Sequence, residues 1–204
     1  APVDERDGLW HGPYYGFDYI DIHTGHAYAA GHWRIWLEKN HPDKAHLWRR
    51  EDALSDIGAF DSWKNALPAE LHYTQWTADR TVDWLQRRDE DQPYFLWMSF
   101  ADPHKPFAPP QPYCDMYANI EFPEAFPQED VSKKPPHYQW AKEGKSYGGY
   151  NTLNEWDGAH FQEIVAHYYG LTTFIDDAMG QVFDELDRQG LWDNYHSPAN
   201  AESI

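Results

Sequence analysis

The chain has one cysteine, Cys114, among 204 residues. A single thiol excludes an internal disulfide and a zinc site built on thiolates, and it leaves the redox compartment unread. Basic residues are scarce: 16 Lys and Arg stand against 34 Asp and Glu, a formal net charge of −18. No basic patch exceeds pairs such as Arg49-Arg50 and Arg87-Arg88. That balance excludes the electrostatic footprint of a nucleic-acid binder and disfavours an anionic membrane surface. An anionic substrate would need a local positive site to overcome the overall field. No apolar run approaches the ~18 residues of a transmembrane helix. Gly-x-Ser-x-Gly, Walker, His-Glu-x-x-His and Gly-x-Gly-x-x-Gly motifs are all missing. The first seven residues are no signal peptide and contain no Met, which reads as a processed chain or a fragment. Ile and Val are few and aromatics make up 17%. Such a composition suits aromatic-packed surfaces or a pocket wall, although filling the core is the ordinary role of these rings.

The length sets one domain as the default and can bury a real core. Gly and Pro punctuate residues 1–32 too often for a long helix. The alternation from Phe17 to Ile22 predicts a short half-exposed strand. His23, His26 and His32 would suit a metal only if their loop folds back; surface or hydrogen-bonded roles are commoner. A short helix is predicted over Trp33 to Leu37, ending near Asn40-His41-Pro42. A longer one is predicted from Pro68 to Arg88, with Pro68 in its first turn and Leu71, Ala78, Val82 and Leu85 on one face. The last helix is the clearest, from Ala159 to Gln189. Ile164, Tyr168, Leu171, Ile175, Ala178, Val182 and Leu186 follow helical spacing, with Asp157 as cap and Gly190 as terminator. Asp176-Asp177 invites a metal reading, but helical neighbours point about 100° apart, so a solvated face is favoured. Residues 195–204 read as an unstructured tail.

The most informative stretch is Gln92-Pro93-Tyr94-Phe95-Leu96-Trp97-Met98-Ser99-Phe100-Ala101-Asp102-Pro103-His104-Lys105-Pro106-Phe107. Its short, almost wholly apolar run predicts a strand buried on both faces inside a parallel α/β sheet. Asp102, His104 and Lys105 follow just past its carboxyl end, where open α/β sheets bind ligands. They form a candidate oxyanion or acid–base site: His104 can give a proton near neutral pH and Lys105 offers fixed charge. The bland alternative is a turn at Asp102 with His104 and Lys105 merely exposed. Prolines then crowd residues 101–150, which predicts a long packed loop, neither helix nor central strand, with interleaved aromatics.

Three segments resemble the type I sulfatase family in order. Pro93 through Phe107 with Pro109-Pro110-x-Pro112-Tyr113-x-x-Met116-Tyr117 is the first. Tyr168-Tyr169-Gly170-Leu171 through Phe174-Ile175-Asp176-Asp177-x-x-Gly180-x-Val182 is the second. Gly16-Phe17-Asp18 with Gly31-His32-x-x-x-Trp36-Leu37 also resembles the family's middle region. The resemblance spans roughly residues 8–194 and implies an α/β fold: a partial alkaline-phosphatase-like sheet flanked by helices, with a long Pro-rich loop region. It further implies hydrolysis of sulfate esters, small-molecule or carbohydrate, by a formylglycine nucleophile with calcium neutralising the sulfate oxygens.

Carried over by position, His104 matches the family histidine that contacts sulfate and protonates the departing alcohol. Lys105, at a variable position, is a candidate substrate-binding neighbour, and Asp102 shapes the turn. Cys114 lies in Pro-Tyr-Cys-Asp-Met-Tyr and is not the nucleophile. The modified-cysteine motif, the paired carboxylates and the Asp-His-Gly calcium segment are not found, so no metal ligand is assigned here. The expectation is an incomplete sulfatase-like domain over 1–194, inactive in isolation and prone to self-association. A phosphonate or phosphodiester hydrolase of the same superfamily is the enzymatic alternative; a non-catalytic carbohydrate- or partner-binding fragment is the other.

Overall fold

The structure, a computed structural model, describes residues 7–24, 31–123, 133–142 and 158–192. Four helices carry it: α1 His32–Asn40, α2 Tyr73–Arg87, α3 Pro136–Lys142 and α4 Gly158–Arg188. Helix α1 buries His32, Trp33 and Leu37. The Trp33 indole N–H donates to the Leu71 carbonyl at 2.9 Å, tying α1 to the short 3-10 turn Ala69–Leu71. Around that tie Trp33, Leu37, Trp48, Leu67, Leu71, Tyr73 and Trp76 form one core.

The predicted start of α2 at Pro68 is too early. Pro68 leads into the 3-10 turn, and His72 then turns extended. The His72 side chain caps α2 by accepting the Thr74 N–H, satisfying one of the donors a helix start leaves over. Helix α2 lies on α4 through Ala78 and Leu85 against Ala178, Val182 and Leu186. The larger of these side chains, Leu85, Val182 and Leu186, each contribute on the order of 1.5–3 kcal/mol when fully buried. Helix α4 ends as its sequence predicts. Gly190 takes φ +66°, the Leu191 N–H reaches the Leu186 carbonyl at 3.0 Å, and the Gly190 N–H reaches Asp187 at 2.9 Å. This is a Schellman closure, and Leu191 packs on the Leu186 cluster.

Several expectations need correction. Segment 93–100 is extended but not buried on both faces. Tyr94, Leu96, Met98 and Phe100 pack on the α2–α4 cluster, whereas Phe95 and Trp97 are 73% and 70% exposed. The period of two is that of one covered face, hidden in the sequence because both faces are apolar. Among the described residues the segment has no ladder partner, and only isolated bridges occur, such as Ser62 with Phe107 and Asn65 with Pro110. Residues 17–22 form no strand either; Tyr14 and Phe17 pair tightly across two residues. On α4, Leu171, Ala178, Val182 and Leu186 are buried as expected and Ile164 and Ile175 are half-buried, but Tyr168 is exposed, and the covered stripe also takes in Ala166, His167, Gly170 and Phe174. Glu185 on α4 is buried and accepts from Arg188, Gln189 and Gln86. Helix α3 lies within the Pro-rich region, beginning at a proline, where the missing N–H costs nothing. Asp157 and the tail 195–204 lie outside the described residues.

Candidate active-site turn

Segment 93–100 delivers the chain to the amino-terminal turn of α2. There Ala101 to His104 closes a turn, with the His104 N–H donating to the Ala101 carbonyl at 3.1 Å. Asp102 lies within that turn as predicted, but its side chain does more than start it. The carboxylate is buried and accepts the Tyr73 hydroxyl at 2.6 Å and the Thr74 hydroxyl on its other oxygen. Burial lifts the Asp102 carboxyl to about 6 against the pull of those two hydroxyls. The His72 ring, 3.9 Å away, is not its counter-ion: burial holds that imidazole down to about 3, and its Nδ1 accepts an N–H. Tyr73, Thr74 and His72 escaped the sequence reading, because nothing in a capped helix start announces a buried carboxylate as partner.

His104 is exposed, and its Nδ1 lies 2.8 Å from the Lys105 carbonyl. A carbonyl can only accept, so Nδ1 carries the hydrogen and Nε2 is the nitrogen that can exchange a proton. Lys105 is turned to Asp61, Nζ to Oδ2 at 3.0 Å, and lies over the Phe60 ring. The Asp61 carbonyl also accepts the Phe107 N–H at 2.6 Å, and the Trp63 and Asn65 N–H groups reach Phe107 and Pro109. Residues 61–65 therefore hold the far side of the turn. Ser62 and His167 meet at 2.8 Å with both side chains buried. Burial keeps that imidazole neutral, down to about 4.

The Pro-rich loop seats on α4. Tyr113 stacks on Phe174 at 4.3 Å and donates to Asp177 at 2.9 Å. Gly170 is required there, since an added Cβ would collide with the Tyr113 carbonyl. Asp176 and Asp177 are both exposed, and among the described residues neither belongs to a group of three or more metal-ligating side chains. Cys114 is buried and its thiol is pushed up to about 11, which keeps it protonated and unreactive.

A second polar cluster joins His11, Asp21 and His32, which offer ligand atoms within 4.8 Å of one another. Hydrogen bonding already accounts for it. The His11 ring faces Asp7 through Nε2 and both Ile20 and Asp21 through Nδ1; the His32 ring accepts the Ile22 N–H and donates to Trp10. The two rings stack at 4.5 Å and 21°, so their in-plane lone pairs run side by side. His23 is elsewhere, against the Tyr73 and Trp76 rings, and His26 lies outside the described residues.

With this geometry in hand, a family model described as Sulfatase matches residues 13–196. The chain belongs to the sulfatase family. Among sulfatase-family relatives it is 30% identical over 190 residues to an arylsulfatase of Clostridium perfringens (strain 13 / Type A), covering 88% of this chain and 38% of that protein. It is 31% identical over 169 residues to the multifunctional alkaline phosphatase superfamily protein PehA of Trinickia caryophylli, covering 78% of this chain and 31% of that one. It is 27% identical over 210 residues to the uncharacterized sulfatase YidJ of Escherichia coli (strain K12), with coverages of 94% and 39%. The fold matches a crystal structure of the phosphonate monoester hydrolase of Agrobacterium radiobacter with TM-score 0.69 at 24% identity, over 95% of this chain and 39% of that one. That likeness supports the α/β class, with little strand content in the described part. The chain spans between about a third and two fifths of the length of the relatives it matches.

Sulfatases as a family generally use a metal ion. Calcium wants six to eight oxygen ligands. The His11–Asp21–His32 group, the one such cluster among the described residues, offers two nitrogens and one carboxylate on stacked rings. It does not fit calcium, and no step of the chemistry is assigned to it.

Proposed function

We propose that this chain forms the middle of a sulfuric-ester hydrolase, with residues 1–194 an incomplete sulfatase-like domain, and that the complete enzyme hydrolyses small-molecule or carbohydrate sulfate esters. The carrying observation is the exposed His104 ring, oriented by its Nδ1–H bond to the Lys105 carbonyl at the end of segment 93–100. In this reading Nε2, protonated, gives its proton to the departing alcohol oxygen, which general-acid catalysis makes worth ~10²–10⁴-fold. Lys105 adds positive charge beside the sulfate, provided it exchanges its Asp61 partner for the ester. The formylglycine nucleophile and the calcium ligands belong to polypeptide outside these residues, so the isolated chain is inactive. Segment 93–100 is then one strand of an alkaline-phosphatase-like sheet, its Phe95–Trp97 face covered by the remainder; uncovered, it self-associates.

The test is a hybrid in which this chain replaces the matching region of the Clostridium perfringens arylsulfatase. Release of inorganic sulfate from an aryl sulfate, lost on His104→Ala, is the expected result. A hybrid equally active without the His104 ring would refute the assignment. The similarity to PehA, named as a multifunctional alkaline phosphatase superfamily protein, supports a second reading of the same superfamily, hydrolysis of phosphonates or phosphodiesters. Faster turnover of a phosphonate monoester than of the sulfate by the same hybrid would select it.

A further inference from the structure

We infer that Asp102 is a positioning residue for His104, holding the turn that aims the imidazole by anchoring it to the start of α2. The inference rests on the reading of His104 as proton donor and adds a second residue to that site.

An aspartate that merely initiates a turn works at the surface, where its carboxylate is hydrated. Asp102 is 5% exposed. Burying a carboxylate is costly unless donors replace its water. Here both oxygens have one: the Tyr73 hydroxyl on Oδ1 and the Thr74 hydroxyl on Oδ2. Both donors come from the first turn of a 15-residue helix, whose positive end favours a carboxylate. Position 102 is thereby fixed to a rigid element, two residues before His104.

The connection from that anchor to the ring is short. The Ala101 carbonyl accepts the His104 N–H, and the His104 Nδ1–H is taken by the carbonyl of the next residue. The ring is oriented by the backbone of the turn itself, so tilting the turn turns the ring. On the other side Lys105 and Phe107 are held by Asp61. His104 therefore sits between two restrained neighbours, and Asp102 is the one that refers the turn to the helix.

The experiment is nitrogen-detected imidazole NMR on the whole 204-residue chain, reading the tautomer of His104 above its titration. Wild type is expected to show the Nδ1–H form. Asp102→Asn and the milder Thr74→Val, which keeps the carboxylate and removes one donor, are expected to lose that single form in favour of the mixture of an untethered imidazole. His167, buried against Ser62, serves as internal control and should not change. A His104 pattern unaltered in both variants, or a wild type lacking the Nδ1–H form, would overturn the inference. The outcome is separable from that of the hydrolase reading. Loss of turnover in His104→Ala hybrids with an unaltered tautomer in Asp102→Asn keeps the proton donor and discards the anchor; the reverse pattern keeps the anchor alone.

Discussion

Segment 93–100 and the loop at 101–117 are neighbours in sequence and opposites in how they are held. The segment has the composition of a strand, yet among the described residues its backbone has no ladder partner and half its rings face outward. The loop is proline-rich and has no regular period, yet it is tied to α2 through Asp102, to residues 61–65 through Phe107 and Pro109, and to α4 through Tyr113. Regular-looking sequence is waiting for partners; irregular sequence has already found them. A loop can satisfy its polar groups one by one with side chains, but a strand needs a whole edge.

The largest effect is expected where the loop meets α4. Phe174 lies between the Tyr113 and His72 rings and is 1% exposed. Phe174→Ala should cost about 3–5 kcal/mol in denaturant unfolding; a cost below 1 kcal/mol would mean the loop is not seated there.

Acid should act next. The unfolded chain takes up protons on His72 and His167 from about pH 6.5 downward, while the folded chain resists until about 3 and 4. Both groups therefore lose stability as pH falls from 6.5 toward 4. Asp102 runs the other way. The folded carboxyl takes its proton near 6 and the unfolded one only near 3.8, so acidification over that window favours the fold through this group. Two imidazoles outweigh one carboxyl, and a net loss on the order of a few kcal/mol is expected between pH 6.5 and 4. Asp102→Asn should steepen it. Thermal melts across that range check both, and a melting point rising on acidification would contradict the burial of the two rings.

Gly170→Ala should cost about 1–3 kcal/mol by forcing the Tyr113 carbonyl off α4. A neutral result in chemical denaturation would show that the loop can shift without loss. The smallest change in stability, within about 0.5 kcal/mol, is expected for Trp97→Lys on the outward face of the segment. Its consequence should appear in sedimentation velocity instead: wild type associates, and the variant runs as a monomer. A monomeric wild type would leave the two regions less different than they look.

The sequence foretold α4 to within a residue at each end, because a long stripe and a glycine stop act locally. It placed the turn at 101–104 for a similar reason, through proline and aspartate chemistry. On α4 it placed Leu171, Ala178, Val182 and Leu186 on the covered face but misjudged Tyr168, because Tyr168 and His167 are adjacent and it is His167 that the loop and Ser62 cover. The partners of Asp102 were illegible: Tyr73 and Thr74 are separated from it by almost thirty residues, and hydroxyl donors leave no periodic trace. The family resemblance located His104, but only the folded turn shows which of its nitrogens the backbone occupies.

Cys114 has a use that follows from its isolation. It is the sole thiol in the chain, buried one residue after the tyrosine that stacks on α4. A thiol reagent can reach it only when that seat lifts, so the rate of labelling is a clock for the opening of the loop. Followed through the variants above, one colour reaction would separate changes that loosen the loop from those that act only on the strand.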